Sequence, residues 1–312
     1  MDTKKKIRII INPKSGTSSK QSLPEKIKKN TNENLFDLDI IYTEYAGHGH
    51  EIAKQAVTDK ADYVIAIGGD GTVNEVARAL VGSNTVLGIV PLGSGNGLAR
   101  DLGIPVNVKK AFEIIEEGKI IDIDYGMAND RIFFCTCGMG FDALVAEQAS
   151  KAKKRGSLMY FKTMLDVFFQ QNPEHYTIEC PEGTYEDDAF VITCANAGQY
   201  GYNAYIAPNA DLQDGLMNIV ILKPLSMLNA PKAGLQLLTK NIDKNKKMVQ
   251  IVTSEAIIKR SKAGVMHIDG DYMDEGTEIH VKIIPKGLKV LVPSKPQSSK
   301  TNDIFSIITR WI

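Results

Sequence analysis

Two apolar runs in this chain each stop in a glycine-rich turn and restart as a helix, and that repetition limits the folds open to it. The first run, Tyr63-Val64-Ile65-Ala66-Ile67, leads into Gly68-Gly69-Asp70-Gly71, after which Val73, Val76, Ala77 and Leu80 recur at helical spacing. The second, Val86-Leu87-Gly88-Ile89-Val90-Pro91, leads into Gly93-Ser94-Gly95-Asn96-Gly97 and a helix start at Leu98-Ala99-Arg100. Unbroken apolar runs of this length read as strands covered on both faces, so the pattern predicts βαβ units and a parallel sheet. Ligands of such sheets bind beyond the C-terminal ends of the strands. Glycine lets the backbone touch a ligand and adopt positive φ, and the first amides of a helix favour an anion. The two turns therefore predict a phosphate site. Asp70, Asn74 and Glu75 strengthen it, because a plain turn needs neither an acid nor an amide there. Thr72 followed by Glu75 reads as a helix-capping pair. Neither turn carries the Gly-Lys-Ser/Thr ending of a P-loop or a complete GxGxxG fingerprint.

Upstream, Lys6 to Ile11 reads as a strand ending at Asn12-Pro13-Lys14-Ser15-Gly16, where Lys14 and Ser15 could meet a phosphate. Leu35 to Thr43 reads as a second strand. Gly47-His48-Gly49-His50 looks like half a metal site, but no further His or Cys lies nearby, and a loop opening a helix through about Thr58 accounts for it better. With 312 residues, two domains are expected. The 37 basic and 37 acidic residues cancel, so no overall field points to nucleic acid. No signal-type apolar run follows the N-terminus, and no window is long and apolar enough to span a bilayer. Cys135, Cys137, Cys180 and Cys194 lack CxxC pairing and read as free thiols in a reducing cytoplasm.

Near residue 120 the pattern changes. Ile120–Met127, Arg131–Cys137, Tyr176–Cys180, Asp188–Asn196, Leu216–Leu222, Met248–Lys259, Val265–Asp269, Thr277–Ile284 and Leu288–Val292 read as strands, with helices at about 142–171 and 225–240. Short strands at close spacing predict an antiparallel sandwich. The fold class expected is therefore α/β plus β. Two acidic turns stand out in the second part. Asp211-Leu212-Gln213-Asp214-Gly215-Leu216 offers oxygen ligands suited to Mg²⁺, or is an Asp-Gly hairpin turn. His267-Ile268-Asp269-Gly270-Asp271 sets two carboxylates around a glycine, as a general base or as another hairpin turn. Lys151, Lys153, Lys154 and Arg155 make a basic patch, either a solvated helix face or a lipid-headgroup contact. Ile304, Phe305, Ile307, Ile308, Trp311 and Ile312 follow an amphipathic rule and are expected to pack back on the body.

Taken together, Gly68-Gly69-Asp70-Gly71-Thr72-Val73-Asn74-Glu75-Val76 and Pro91-Leu92-Gly93-Ser94-Gly95-Asn96 resemble the diacylglycerol kinase catalytic family, which includes bacterial soluble lipid kinases and the sphingosine and ceramide kinases. Asn12 to Gly16 resembles the family's opening motif, Gly138-Met139-Gly140-Phe141-Asp142-Ala143 the start of its second domain, and Asp269-Gly270-Asp271 its Asp-Gly-Glu motif. The resemblance implies an α/β nucleotide-binding domain over residues 1–125, with 285–312 returning to it, and a β-sandwich lipid-binding domain over 126–284. It implies ATP contacts from Asn12, Thr43, Gly68, Gly69, Asp70, Gly71, Thr72, Val73, Asn74, Glu75, Ser94, Gly95 and Asn96, with Asp70 orienting a catalytic magnesium or its waters. It implies Mg²⁺ held by Asp214 and the carbonyls of Asp211 and Leu216. Asp271 would take the proton of a lipid hydroxyl, with Asp269 as the other candidate because Asp271 is one methylene shorter than Glu. The implied activity is transfer of the ATP γ-phosphate to diacylglycerol. A sphingoid base is the alternative, because Gly95-Asn96-Gly97-Leu98 resembles the sphingosine-kinase version of the turn. NAD kinases share only the Gly-Gly-Asp-Gly piece, and a non-catalytic nucleotide-binding regulator is the third reading. The expected setting is the cytoplasm at a membrane surface, with a lipid substrate as partner, no nucleic acid, and room for a homodimer.

Overall fold

The computed structural model describes residues 4–16, 25, 27, 32, 34–151, 163, 166–168 and 172–295. Lys153, Lys154, Arg155 and the apolar tail from Ile304 lie outside the described residues. The chain divides into two compact units. One holds the residues up to Ile123 and returns at Lys286; the other is built from Asp124–Pro285.

In the first unit β1 (Lys5–Ile11), β2 (Phe36–Tyr42), β3 (Tyr63–Gly68) and β4 (Val86–Pro91) form a parallel sheet in the order β2-β1-β3-β4. Every residue of β3 and β4 is buried, as their unbroken apolar runs require. The last part of β16 (Glu278–Val292) adds beside β4, with Val290 opposite Leu87. Helices cover or edge this sheet. α1 (His48–Thr58) buries Ile52, Ala53 and Ala56, and α2 (Asp70–Leu80) buries Val73, Val76, Ala77 and Leu80, both at helical spacing. α3 (Gly97–Asp101) is only five residues long. α4 (Val108–Glu117) is capped by Asn107, whose side-chain oxygen accepts the Lys110 amide. The chain moves outward from β1 to β2 and then returns to the other side of β1 for β3. Ile11 and Gly68 therefore end the two strands that flank the reversal, the point where such sheets bind ligands.

β5 (Lys119–Ala128) carries the chain into the second unit. There β12 (Met248–Thr253), β11 (Met217–Leu222), β10 (Val191–Ala195), β7 (Thr136–Gly140), β14 (Gly264–Ile268) and β15 (Asp271–Glu275) form an antiparallel sheet in that order. A second layer holds β13 (Glu255–Arg260) between the first part of β16 and β8 (Glu174–Cys180), with β9 (Gly183–Ala189) beyond and β5 pairing with β6 (Arg131–Phe133). Phe133, Met139, Ile192 and Ile219 meet Tyr176, Ile258, Ile279 and Val281 in one buried cluster, the core of a sandwich. Two described helices accompany it, α5 (Phe141–Lys151) and α6 (Ala230–Leu238). All four cysteines are free thiols.

Several boundaries differ from the sequence reading, and each difference is long-range. Arg131–Cys137 is two strands, because the chain bends at Phe134 and Cys135. Met248–Lys259 breaks at Ser254, and its halves pair with different partners, β11 on one side and β16 with β8 on the other. Thr277–Ile284 and Leu288–Val292 are instead one strand. β9 is a strand that the apolar pattern does not signal, because its sequence, Gly-Thr-Tyr-Glu-Asp-Asp-Ala, is polar, as suits a strand paired on one side only.

Candidate active site

In the first unit the predicted nucleotide residues gather at the C-terminal ends of β1, β2, β3 and β4. Asn12 follows β1 and Thr43 follows β2, and the Thr43 amide donates to the Ile11 carbonyl at 2.9 Å. The Asn12 side chain joins two loops: Oδ1 accepts the Lys14 amide at 2.9 Å, and Nδ2 donates to Thr72 Oγ1 at 3.0 Å. The Gly69 amide approaches Ser15 Oγ at 3.4 Å. These contacts lock the Asn12–Gly16 loop against the first glycine turn.

The two glycine turns are locked to each other by Asp70. Its carboxylate accepts the Asn96 amide at 2.8 Å with one oxygen and the Gly97 amide at 2.6 Å with the other, the amides that open α3. Asp70 therefore positions the second turn, a role its motif alone does not reveal. Gly93 and Gly69 meet backbone to backbone: a Cβ on Gly93 would stand 2.6 Å from the Gly69 Cα. Gly68 is needed for a similar reason, since a Cβ there would strike the Thr72 side chain at 2.5 Å. Asn96 sits in the left-handed region, φ 50°, with Nδ2 donating to the Gly93 carbonyl at 2.7 Å. Arg100 Nε donates to the Gly95 carbonyl at 2.8 Å, and Ser94 is exposed.

Two of the predicted nucleotide contacts, Glu75 and Val73, have other occupations. Glu75 reaches to α1, where Oε1 accepts the Gly47 amide at 2.8 Å and Oε2 the Gly49 amide at 3.1 Å. It caps the neighbouring helix rather than its own, because α2 already begins at Asp70, with Gly69 as its N-cap. Thr72 is accordingly inside the helix and is not its cap. Val73 is buried in the core and its amide donates to the Gly69 carbonyl at 3.1 Å. What stays open is the first turn of α2. The amides of Asp70, Gly71 and Thr72 precede the first intrahelical bond. Gly71 is exposed, and a Cβ placed on it would meet nothing within 4 Å. An amide-lined helix start beside a bare glycine is what a phosphate needs.

In the second unit the Asp269-Gly270-Asp271 turn joins β14 to β15. Asp269 and Gly270 both have positive φ, 50° and 89°. The Asp269 carboxylate accepts three backbone amides: Cys135 at 2.8 Å and Thr136 at 3.0 Å on Oδ1, and Phe134 at 2.8 Å on Oδ2. Burial pushes its pKa up, while the three amides and nearby His267 pull it back. This carboxylate holds the bend between β6 and β7, a positioning role that argues against Asp269 as the base. Asp271 is exposed at the first position of β15, paired with Ile268.

A buried polar knot stands behind that turn, and sequence reasoning did not anticipate it. Asp142 Oδ2 accepts Thr193 Oγ1 at 2.8 Å and the Tyr200 hydroxyl at 3.0 Å, and lies 3.1 Å from His267 Nε2. It ties the start of α5 to β10 and β14. Gly138 makes room for it: a Cβ there would fall 2.4 Å from Asp142 Oδ2. The clue in the sequence is His267 and Asp269 alternating along one strand.

The Asp211–Leu216 turn uses its acids as hydrogen-bond acceptors. Asp211 Oδ1 accepts the Gln213 amide at 3.0 Å, and Asp214 Oδ1 the Leu216 amide at 2.9 Å. Beneath them Asp124 is fully buried, and its Oδ2 accepts the Gly215 amide at 2.7 Å. Among the described residues no three acidic, histidine or cysteine side chains converge on one metal position. A cation here would be held partly by carbonyls and water, the coordination Mg²⁺ favours, so the donor set fits that ion.

The comparisons agree with this two-part architecture. The family model described as "Diacylglycerol kinase catalytic domain" matches residues 6–128, and that described as "YegS C-terminal NAD kinase beta sandwich-like domain" matches residues 135–292. The chain belongs to the family of the second model, which covers half of it, and carries a diacylglycerol kinase catalytic domain ahead of that match. Its second unit is the YegS type of sandwich, and family membership makes it a phosphotransferase of the lipid-kinase kind. A protein of Yersinia pestis (strain Pestoides F) named "Probable lipid kinase YegS-like" is 29% identical over 293 residues, 91% of this chain and 96% of its own length. A Yersinia pseudotuberculosis (serotype O:1b, strain IP 31758) protein of the same name matches equally. A crystal structure titled as a diacylglycerol kinase from Bacillus anthracis str. Sterne superposes with a TM-score of 0.70 at 21% identity, over 93% of this chain and 97% of that one. An NAD kinase from Archaeoglobus fulgidus in complex with ATP reaches only 0.50 at 11% identity, which is likeness of fold alone. No described helix is long and apolar enough to cross a membrane.

Proposed function

We propose that this chain transfers the γ-phosphoryl group of ATP to the hydroxyl of diacylglycerol. The observation that carries the reading is the interlocked set of three loops at the strand ends of the first unit, held by Asn12 and Asp70 around the open first turn of α2. Phosphoryl transfer has a loose transition state, so a protein accelerates it mainly by positioning and by neutralising charge. The amides of Gly71 and Thr72 are aimed to receive phosphate oxygens, and the partial positive end of α2 adds to them. Asn12, Thr43, Ser94, Gly95 and Asn96 follow the same strand ends and, with Asn74 of α2, would contact the rest of the nucleotide. Asp271 accepts the proton of the lipid hydroxyl as it attacks. Asp269 holds the bend beside it, and the Asp142–His267 knot supports the strand that leads to both. Asp214, with the carbonyls of Asp211 and Leu216, would hold Mg²⁺, which there would neutralise the acidic turn. A sphingoid base is a second acceptor to test, because Gly95-Asn96-Gly97-Leu98 is close to the sphingosine-kinase form of the turn.

The test is a labelled-ATP assay against diacylglycerol, sphingosine and ceramide in detergent micelles, with NAD alongside. Labelled phosphatidic acid is the expected product. Labelling of NAD alone, or of no lipid, overturns the proposal. Replacing Asp271→Asn should lower turnover by about a hundredfold or more, the usual contribution of a general base, with ATP affinity unchanged. Unchanged turnover removes Asp271 from the reaction.

A further inference from the structure

The chain is neutral as a whole, yet one segment of the second unit is not. Between Lys223 and Lys247 stand six lysines, Lys223, Lys232, Lys240, Lys244, Lys246 and Lys247, against the single acid Asp243. The same segment holds strongly exposed large apolar side chains: Leu228 is 91% exposed, Met227 67% and Leu235 49%. Leaving such side chains in water is costly, and their clustering marks an interaction surface.

The local fold explains how the two features share a face. The Asn229 and Ala230 amides donate to the Ser226 carbonyl at 2.9 and 3.0 Å, so the helical path begins a turn before α6. Along that path Leu228, Lys232 and Leu235 fall on one side at spacings of four and three residues. Ala233 and Leu237 fall on the other: Ala233 is buried, and Leu237 packs on the cluster of Ala195, Ile206, Ala207 and Val220. The inner face is therefore settled by packing, and the outer face is apolar with a lysine set into it. Three lysines of the segment are engaged, Lys223 with Asp187 at 2.6 Å, Lys240 over the Tyr205 ring at 4.1 Å and Lys244 with Asn241 Oδ1 at 2.5 Å. Lys232, Lys246 and Lys247 form no ion pair among the described residues. Beside the tip, Phe190, Pro224, Leu225 and Met227 line an apolar groove of about 380 Å³, so the apolar surface continues inward from the exposed side chains.

We propose that Met227, Leu228 and Leu235 insert into the surface of an anionic bilayer, with Lys232, Lys246 and Lys247 against the lipid phosphates. Apolar side chains at the tip and long cations around them are the chemistry of an interfacial helix, and the charge sign selects acidic lipid. The use made of this docking rests on the lipid-kinase reading above, since a lipid acceptor is presented at a bilayer; the docking itself is measured without catalysis.

Flotation of the whole protein with vesicles tests it, using phosphatidylcholine alone and phosphatidylcholine mixed with phosphatidylglycerol. The protein should float with the mixed vesicles and not with phosphatidylcholine alone, and added salt should weaken the binding. Leu228→Ser with Leu235→Ser should reduce partitioning by about tenfold or more. Lys232→Glu should reduce it by about fivefold or more at low salt. Both sites are exposed, so thermal melting of the variants should match the parent. Absence of flotation with the mixed vesicles, or variants that float like the parent, overturns the proposal. So does a dimer in light scattering that Leu228→Ser dissolves, since the face would then be a contact between two copies. Phosphorylation of diacylglycerol in detergent micelles separates the two readings: variants that lose flotation should keep that activity. A parent with no lipid-kinase activity that still floats would remove the activity and leave the docking.

Discussion

The glycine loops of the first unit and the Asp-Gly-Asp turn of the second solve one problem by different means. In each, an acid that the motif suggests is chemical has both oxygens on backbone amides: Asp70 on Asn96 and Gly97, Asp269 on Phe134, Cys135 and Thr136. In each, an exposed residue stands next to that acid, Gly71 in one and, one residue further on, Asp271 in the other. The difference lies in what fixes the geometry. The first unit adds a steric lock, the backbone contact of Gly69 with Gly93, that admits no side chain. The second relies on a carboxylate and one backbone bond, from the Asp269 amide to the Thr136 carbonyl at 2.8 Å. A motif's acid can thus be taken up in holding its own turn, and the two regions should fail differently when altered.

The largest effect on ATP binding should come from the steric lock. Gly93→Ala puts a carbon 2.6 Å from the Gly69 Cα and 2.9 Å from the Asn96 side-chain oxygen, and a backbone atom cannot step aside as a side chain would. Overpacking of this kind costs about 1–3 kcal/mol or more and moves the two turns apart. Chemical denaturation should register the loss, and ATP binding should fall by more than that loss alone explains. A variant with parental stability and affinity would remove the lock from the account.

Next comes Asp269. Asp269→Ala leaves three amides without their acceptor; each unsatisfied buried group costs about 1–3 kcal/mol, reduced here wherever water can enter. Its pH dependence gives the sign. A pKa raised in the folded state means the folded protein holds this proton to higher pH than the unfolded chain does. Stability contributed by Asp269 is therefore present in acid and declines as pH climbs from the ordinary carboxyl value of 3.8 through the folded pKa. Comparing parent and Asp269→Asn by denaturation across that range should remove this component. The Asn variant keeps one acceptor oxygen, so its own penalty is smaller than that of Ala. The same slope in both proteins would show that another group carries it.

The same comparison explains what can be read from the sequence. Strand, turn and helix start at 63–80 and 86–98 are legible because apolar runs, glycine and helical spacing are local. The acids are legible as members of a site but not in their roles, because the amides they accept lie far along the chain: Asp70 and Gly97 are 27 residues apart, and Asp269 and Cys135 are 134 apart. The capping pair expected at Thr72 and Glu75 fails for a like reason, since a better use for Glu75 exists at Gly47 and Gly49, across the fold. The break at Ser254 is hidden because residues on both sides alternate normally and only pairing partners differ. His267 is only half legible: its alternation with Asp269 marks it out, but its partner Asp142 lies 125 residues away.

The smallest effect is the one that best separates shape from ligand contact. Gly71 stands beside the same turn as Gly69 and Gly93, but a side chain there would meet nothing, and the residue lies in the first turn of α2. Alanine suits a helix better than glycine, so Gly71→Ala should leave stability unchanged or raise it by about 0.5–1 kcal/mol. If Gly71 is open because phosphate comes against it, the same methyl group should weaken ATP binding while the protein becomes no less stable. Calorimetric titration with ATP and a melting curve on one preparation give both numbers. Gly93→Ala loses folding and binding together, and Gly71→Ala should lose binding alone. If Gly71→Ala binds ATP as the parent does, the phosphate site is not at the first turn of α2, and the open glycine is only a helix start in water.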